Sequence, residues 1–443
     1  MSIERIELGN IIRKKRKELG LTLNDLAGDN ISVPTISNIE RGITHNVSDE
    51  KITYLLDQLG LDEQTIAKMK QSGAVEKEHV ELELVNIAHL VELKLFDLAR
   101  ERIMALEKQD IIDENAHFSA HLQLTKANLY LYRQHWDRTE RILKKVVRLV
   151  KECAIDAKTN IEAEAYYLWG QIVFYRDQDT EQALRYSDWA LDAFHLGGDK
   201  PYLEGRINYN IGVYHYRAEA YAPALKYISK AKKISEQTND MRTLAMTFYM
   251  EGNILKKQEM YQEAIPFFKK AINVSRTLYP NNDLACHLYI NMGDNYYCAE
   301  QYEEAIRYYK IVRELCHVTK DQQMMAHVYR SYGEVYLATG DYDRAALCAD
   351  KALDLMKKVP SPFDRFRLLL LCANTALCQK SEKTVDYCQE GIRLADELKQ
   401  YRMKKEFHFL LAKYYSGVGN NEKHLRELQH LFYVETVLNK EAR

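Results

Sequence analysis

Five glycines, Gly170, Gly212, Gly252, Gly293 and Gly333, recur at intervals of about 40 residues. Twelve residues after each of the last four stands an alanine: Ala224, Ala264, Ala305 and Ala345. An aromatic residue precedes each alanine at a fixed offset, as Tyr221, Tyr261, Tyr302 and Tyr342. A small residue in each of two helices, at constant separation, lets the two backbones approach closely. The aromatic wedges the turn between them. A period of this length requires a solenoid of helical hairpins, an architecture that makes concave binding surfaces rather than catalytic clefts.

Weaker copies extend the repeat at both ends. Ile87 to Ala99 and Ala127 to Thr139 precede the Gly170 copy, and Cys372 to Thr384 and Ala412 to His424 follow the Gly333 copy. The Gly170 copy carries one additional residue before Ala183. The total is nine hairpins, with helices longer by nearly a turn than those of the 34-residue tetratricopeptide repeat. Divergent end copies are expected, because a terminal repeat faces solvent on one side. Asn421 to Arg443 reads as a final helix covering the last hairpin.

A chain of 443 residues exceeds a single core, and a solenoid with one small domain fits that length. Residues 1–70 do not follow the period; they hold shorter helical patterns stopped at Gly20, Gly28, Gly42 and Gly60. Residues 71–78 read as a linker, and 79–443 as the repeat domain. A formal net charge of −2 excludes a global pull toward nucleic acid or membrane. The eight cysteines contain no C-x-x-C pair and read as buried free thiols in a reducing cytosol. The start lacks an apolar signal stretch, and no apolar run reaches the length of a membrane span. A cytoplasmic protein without a membrane partner is the expectation.

The first domain has its own pattern. Leu8, Ile11, Ile12 and Leu19 form one stripe of a helix whose exposed side carries Arg13, Lys14, Lys15, Arg16 and Lys17. Thr22 caps a short second helix, and Ser32 caps a third with Pro34 in its first turn. Ile36 and Ile39 face inward; Thr35 and Asn38 face outward. Two short helices joined by a tight turn, with small polar residues leading the second, suit reading of the DNA major groove.

The run Arg13, Arg16, Leu21-Thr22, Leu26-Ala27 and Thr35 to Gly42 resembles the helix-turn-helix of Xre/Cro-type repressors. That resemblance implies base contacts from Pro34, Thr35 and Asn38, and contacts from Arg13, Thr22, Ser37 and Arg41 nearby, on double-stranded promoter DNA. Leu23 stands where that family often has a DNA-contacting Gln, and the turn before Ser32 is one residue short. With ten Lys/Arg against eleven Asp/Glu in residues 1–70, affinity would rest on a local basic face and on dimerisation.

Such a reader joined to nine long hairpins resembles the peptide-pheromone receptors of Firmicutes, the Rap, Rgg, NprR, PlcR and PrgX group, most of all its NprR-like and PlcR-like members. The fold implied is all-α, an N-terminal helix-turn-helix followed by a right-handed superhelical solenoid. The function implied is a quorum-sensing transcription regulator. A short linear signalling peptide binds in the groove, changes the homodimer or tetramer arrangement, and so changes promoter binding. A Rap-like module that modulates a response regulator or kinase is the alternative.

With each repeat glycine as position 8, positions 2, 5, 6, 9 and 12 of the first helix face the groove. They include Arg206, Tyr209 and Asn210; Met250; His287, Ile290, Asn291 and Asp294; and Arg330, Ser331 and Glu334. Tyr249 and Asn253 complete the candidate peptide contacts. Asn210, Asn253 and Asn291 form a ladder able to hold peptide units from both ends. Arg330 suits a carboxylate, and Asp294 with Glu334 a basic group. His117 and His121 have metal-ligand spacing but lack a third ligand, so no metal is expected. Without a phosphate loop, nucleophile elbow or zinc motif, neither an enzyme nor a cofactor is expected.

Overall fold

The computed structural model describes residues 5–43, 47–278, 282–357, 362–398 and 400–441. Among them there are helices and no strand; one isolated bridge joins Gly28 to Ile31. By its contacts the chain divides into two compact units, Met1–Ile172 and Val173–Arg443.

The first unit opens with α1 (Arg5–Glu18), α2 (Leu23–Leu26), α3 (Val33–Glu40) and α4 (Asp49–Gln58). Ile12, Ile36, Ile39 and Leu55 are sealed at its centre. Gly20 and Gly42 end α1 and α3 in the left-handed conformation, at φ 68° and 72°, which glycine adopts without a Cβ clash. Next come α5 (Glu63–Glu92), α6 (Phe96–Leu106), α7 (Asp110–Glu114), α8 (Ala116–Tyr132), α9 (Trp136–Glu152) and α10 (Ile161–Ile172).

Helix α5 runs unbroken through residues 71–78, where a linker was expected. Its first turns put Ile66 into the core of α1–α4, and Val80, Leu84, Ile87 and Val91 enter the core of the first hairpin. Gly73 costs an exposed helix only about 1 kcal/mol, too little to break one anchored at both ends.

The second unit begins with a π-helical turn, Val173–Asp177. The additional residue of the Gly170 copy is absorbed here, as single insertions in helices often are. There follow α11 (Thr180–Ala193), α12 (Leu203–Arg217), α13 (Tyr221–Thr238), α14 (Met241–Lys257), α15 (Tyr261–Leu278), α16 (Asn282–Cys298) and α17 (Tyr302–Thr319). The chain ends with α18 (Gln322–Ala338), α19 (Tyr342–Met356), α20 (Pro362–Cys378), α21 (Lys383–Glu397), α22 (Tyr401–Gly417) and α23 (Asn421–Glu441).

The repeats carry a punctuation mark that glycine counting misses. Lys94, Gln134, Gln178, Glu219, Glu259, Glu300, Gly340, Lys380 and Gly419 all have positive φ, one after each first helix. These nine residues mark nine hairpins among the described residues. Most are not glycine, and each such residue costs roughly 1–2 kcal/mol, a strain accepted because the left-handed residue ends one helix and turns the chain into the next. Helix α23 is therefore the second helix of the ninth hairpin rather than an additional cover. His424 Nδ1 lies 2.9 Å from the Ala412 carbonyl oxygen.

The repeat glycines work by omission. A Cβ on Gly293 would lie 2.4 Å from Tyr309 Cε1, and one on Gly252 would lie 2.9 Å from Phe268 Cε1. In both hairpins the intruding ring stands one turn after the repeat alanine. At Gly333 that place holds Ala349, and Leu371 of the following hairpin fills the slot instead, 2.6 Å from the Cβ position. Two of the turn aromatics pack on a ring of the preceding helix, Tyr302 at 5.9 Å from Tyr297 and Tyr221 at 6.1 Å from Tyr216, whereas Tyr342 is exposed.

The cysteines are all free, but the expectation of general burial needs correction. Cys286, Cys316, Cys348, Cys372 and Cys388 are buried, whereas Cys153, Cys298 and Cys378 are exposed. Among the described residues no helix is long and apolar enough to cross a membrane.

Candidate functional site

Two places concentrate polar groups that the packing does not require. The first is the outer face of α3, where Pro34, Asn38 and Arg41 are exposed. Thr35 and Ser37 are half-buried. Ser32 caps by position alone, since its hydroxyl lies 2.8 Å from the Thr35 hydroxyl rather than on a backbone N–H. Thr22 has local work: its backbone N–H and its hydroxyl both donate to Asp25 Oδ2 at 2.7 Å, and Asp25 N–H donates back to Thr22 Oγ1 at 3.3 Å. These bonds hold the Asp25 carboxyl below the usual carboxylate range.

The basic run on α1 is not the open ridge the sequence suggested. Arg16 points inward, donating from Nε and Nη2 to the two Glu40 oxygens at 2.6 and 2.9 Å, and from Nη1 to the Leu21 carbonyl at 2.8 Å. Same-face arithmetic could have found this pair. Arg16 is one turn beyond the buried Ile12, and Glu40 one turn beyond the buried Ile36. On the outer side, Lys14 Nζ meets Glu76 and Lys17 Nζ meets Glu114, both at 2.6 Å. Arg13 Nε is 3.8 Å from Glu114. Exposed pairs of this kind contribute about 0–1 kcal/mol, so they leave Arg13, Lys14 and Lys17 free to exchange partners.

The second place is the line of first helices α12, α14, α16, α18 and α20. Of the assigned positions, 2 and 12 stay open to varying degrees, as does 9 except at the buried Asn253, but 5 and 6 often turn inward. Ile290, Met250 and Ser331 are buried rather than groove-lining.

The Asn ladder also needs correction. Asn291 Nδ2 donates to the His287 carbonyl one turn back at 2.9 Å, and its Oδ1 accepts from Lys256 Nζ at 3.3 Å. Asn253 is 5% exposed and hydrogen-bonds to Tyr249. Burial raises the Tyr249 hydroxyl, an effect the Asn253 bond partly offsets. Asn210 alone of the three is half-buried without a hydrogen-bond partner among the described residues. An Asn in a helix readily folds back on the preceding turn, and Asn208 and Asn374 do the same toward Glu204 and Leu370.

Arg206 is likewise engaged. Its Nε donates to Asp240 at 2.9 Å, and its guanidinium lies 4.3 Å from the Tyr202 ring centroid. Asp240 caps α14, so the contact ties two successive hairpins. Tyr209 packs on the cluster of Ile228 and Met250. His287 is exposed.

Asp294, Arg330 and Glu334 do come together, and they recruit groups that the groove register did not select. Tyr309 OH, from the second helix α17, donates to Asp294 Oδ1 at 2.8 Å. Burial alone would raise the Asp294 carboxyl, but Lys256, His327 and Arg330 around it bring it below its usual value. Arg330 is 7% exposed and ion-paired with Glu334 one turn on. Burial nevertheless leaves the Glu334 carboxyl above the usual range, with Arg330 opposing. Burial lowers Lys256 despite the neighbouring Asp294.

His327 is pushed down to about 4 by burial and then by the Arg330 charge. Its Nε2 is buried without a hydrogen-bond partner. An unfolded His takes its proton below about 6.5, whereas folded His327 does so only near 4. Between these values the unfolded state holds more protons, so stability falls as pH drops through that window. The loss should reach about 2 kcal/mol by pH 5. Urea unfolding at pH 7 and pH 5 checks this: His327→Gln should flatten the difference, and equal slopes in both proteins would refute it.

Arg367, exposed on α20, belongs to the same neighbourhood. Carrying the groove register into the Cys372 copy would have selected Phe366, which is 2% exposed. The register shifts by one there, which the sequence does not signal. No group of three His, Cys, Asp or Glu able to hold a metal ion occurs among the described residues; His117 and His121 stack 6.2 Å apart.

Comparison with known proteins agrees with this division. The family described as helix-turn-helix matches residues 12–66. Tetratricopeptide repeat families match 172–238, 247–277 and 283–358. Tetratricopeptide repeat protein 29 of Macaca fascicularis is 28% identical over 108 residues, covering 24% of this chain and 22% of that protein's length. The crystal structure of a Rap protein complexed with competence and sporulation factor aligns with a TM-score of 0.59 at 16% identity, over 82% of this chain and 99% of that one. The apo quorum sensor NprR from B. thuringiensis aligns with a TM-score of 0.60 at 16% identity, over 81% and 99%. The chain thus carries a helix-turn-helix domain followed by tetratricopeptide repeats, and at this identity the likeness to Rap and NprR is one of fold.

Proposed function

We propose that this chain is a transcription regulator whose DNA binding is set by a short linear peptide held along the inner helices of its repeats. The observation that carries the reading is a complete helix-turn-helix, with Pro34, Asn38 and Arg41 exposed on α3, in one chain with a groove of partly buried, incompletely paired polar groups. The Rap and NprR folds support it. Asn38 reads a base edge, Arg41 meets backbone, and the α1 cations exchange Glu76 and Glu114 for phosphates. Peptide contacts come from Asn210, Tyr209, Tyr249, Asp294 and the Arg330 neighbourhood. The readers act as a homodimer, which peptide re-spaces or assembles further. To swing such a switch nearly fully, the peptide must prefer one state by about 5.5 kcal/mol.

The test is selection of duplexes from random DNA by the full chain. An enriched site is expected. Asn38→Ala should relax one position of it at a cost of about 1–3 kcal/mol. Arg41→Ala should weaken all sequences alike and lower the salt slope by about one. Absence of any enriched sequence from the wild-type chain would end the regulator reading.

A further inference from the structure

Helix α5 carries apolar residues on two opposite sides. Val80, Leu84, Ile87 and Val91 are buried in the first hairpin. On the other side Val75, Leu82 and Val85 are 60, 59 and 60% exposed. The repeat register shows what that side does elsewhere. Leu82 holds repeat position 3, where Ile207, Leu288 and Val328 of α12, α16 and α18 are fully buried. His89 holds position 10. There Ile254 of α14 packs with Ile228 of α13, and Asn295 of α16 donates from Nδ2 to the Tyr261 carbonyl of α15 at 2.9 Å. In the inner hairpins this side therefore lies on the helix of the hairpin before. In α5 it has no such neighbour among the described residues. An end repeat ordinarily turns a polar face outward, and this one is apolar.

The exposed side is a heptad seam. Val75, Glu78, Leu82, Val85, His89 and Glu92 follow one another at alternate spacings of three and four residues, and all are exposed. They span about 26 Å at 1.5 Å per residue. The unit's own contacts avoid the seam. Lys14 meets Glu76 at 2.6 Å and Arg102 meets Glu83 at 3.0 Å, and by helical spacing both acids lie toward the hairpin core. Neither the Glu78 nor the His89 side chain has an ion pair or hydrogen bond among the described residues.

We infer that this face takes the same face of a second copy of the chain, the two α5 helices running antiparallel about a two-fold axis between residues 83 and 84. The register follows from the seam. Leu82 faces Val85 of the second copy, Val85 faces its Leu82, and Glu78 with His89 forms two symmetric pairs across the axis. A histidine ring offers an N–H donor to a carboxylate in either charge state. Val75 and Glu92 close the ends, at the rim where a charge stays in water. Parallel pairing would instead set Glu78 against Glu78 and Glu92 against Glu92, both like-charge contacts. Contact with any other face of a second copy would be heterologous and would not close at two copies, whereas the two-fold contact is self-complementary and does. The inference rests on the homodimer of the proposed function, and it names the surface that makes it.

Sedimentation of the full chain over a concentration series tests the surface. The wild type should dimerise. Leu82→Glu with Val85→Glu should weaken association at least about tenfold, since it puts unpaired charge at the centre of the seam. Both residues are exposed, so the double variant should melt as the wild type does, and a melting curve checks this. Cysteine pairing tests the direction. Glu78→Cys mixed with His89→Cys under mild oxidation should yield a linked peptide joining the two positions. Mass spectrometry separates it from links through the exposed Cys153, Cys298 and Cys378. Glu78→Cys alone should form no link between its two copies, because antiparallel helices hold them about 16 Å apart along the axis. Absence of the 78-to-89 link, or presence of a 78-to-78 link, overturns the antiparallel pairing. A dimer of unchanged strength in the folded double variant overturns the α5 surface and leaves the homodimer standing. A wild type that stays monomeric overturns both.

Discussion

Arg16→Ala is expected to unfold the DNA reader while the second unit melts as before. The Arg16 side chain is 13% exposed and that of Glu40 6%. Their bidentate pair spans α1 and α3, and a third donor satisfies the Leu21 carbonyl that closes the turn after α1. Removing one partner of a buried pair costs about 3–5 kcal/mol, because the other charge is left desolvated and alone. A domain as small as α1–α4 has a stability of the same order. Arg16→Lys keeps the charge but loses the fork, and should fall between wild type and Ala. Arg16→Met with Glu40→Leu removes both charges and should recover most of the loss. Hydrogen exchange resolved by segment is the measurement. Protection should vanish over α1–α4 and persist over α12–α19 in Arg16→Ala. Wild-type protection of α1–α4, or a double variant as unstable as the single, would refute this account.

Arg330→Ala should damage the second unit by a similar amount, about 3–5 kcal/mol, and in a pH-dependent way. Arg330 is the buried cation facing both Asp294 and Glu334. Without it, two carboxylates of α16 and α18 face each other, with Lys256 and His327 beside Asp294 and Arg367 acting on Glu334. The Glu334 carboxyl already stands above its usual range through burial, and losing Arg330 raises it further. A raised carboxylate means the folded state binds the proton more readily than the unfolded state. Stability relative to wild type therefore returns as pH falls toward the folded value. The defect should be largest at neutral pH and shrink by pH 5. Paired melting curves at the two pH values check it. A defect independent of pH would mean that Arg330 acts through its packing alone. Arg330→Leu with Glu334→Leu should be milder than Arg330→Ala at neutral pH.

The two arginines show where reading the chain works and where it stops. Arg330 was legible as a groove candidate from its place in the repeat, but its ion pair depends on which way one turn of helix faces. Arg16 read as exposed because the five basic residues were taken together as one outer face, although its place one turn beyond the buried Ile12 puts it on the inward side, where α3 supplies Glu40. Arg367 was missed because its copy is shifted by one residue. Asn253 and Asn291 were legible as a ladder. Their side chains found partners on Tyr249, His287 and Lys256 instead, since a short amide in a helix competes for the nearest donor or acceptor.

What the amino-acid order alone determined is the architecture. A small residue every 40 or so positions, answered twelve residues later by another, admits close-packed helical hairpins and little else. The position of the reader, the count of nine hairpins and the additional residue near Gly170 all follow from that spacing, because backbone approach is a local steric matter. Only the tertiary structure decided the chemistry of the groove. Whether a polar side chain is spent on a neighbour or left open depends on residues of the adjacent helix or hairpin, as with Lys256 on Asn291 and Tyr309 on Asp294, and on desolvation that no single helix creates.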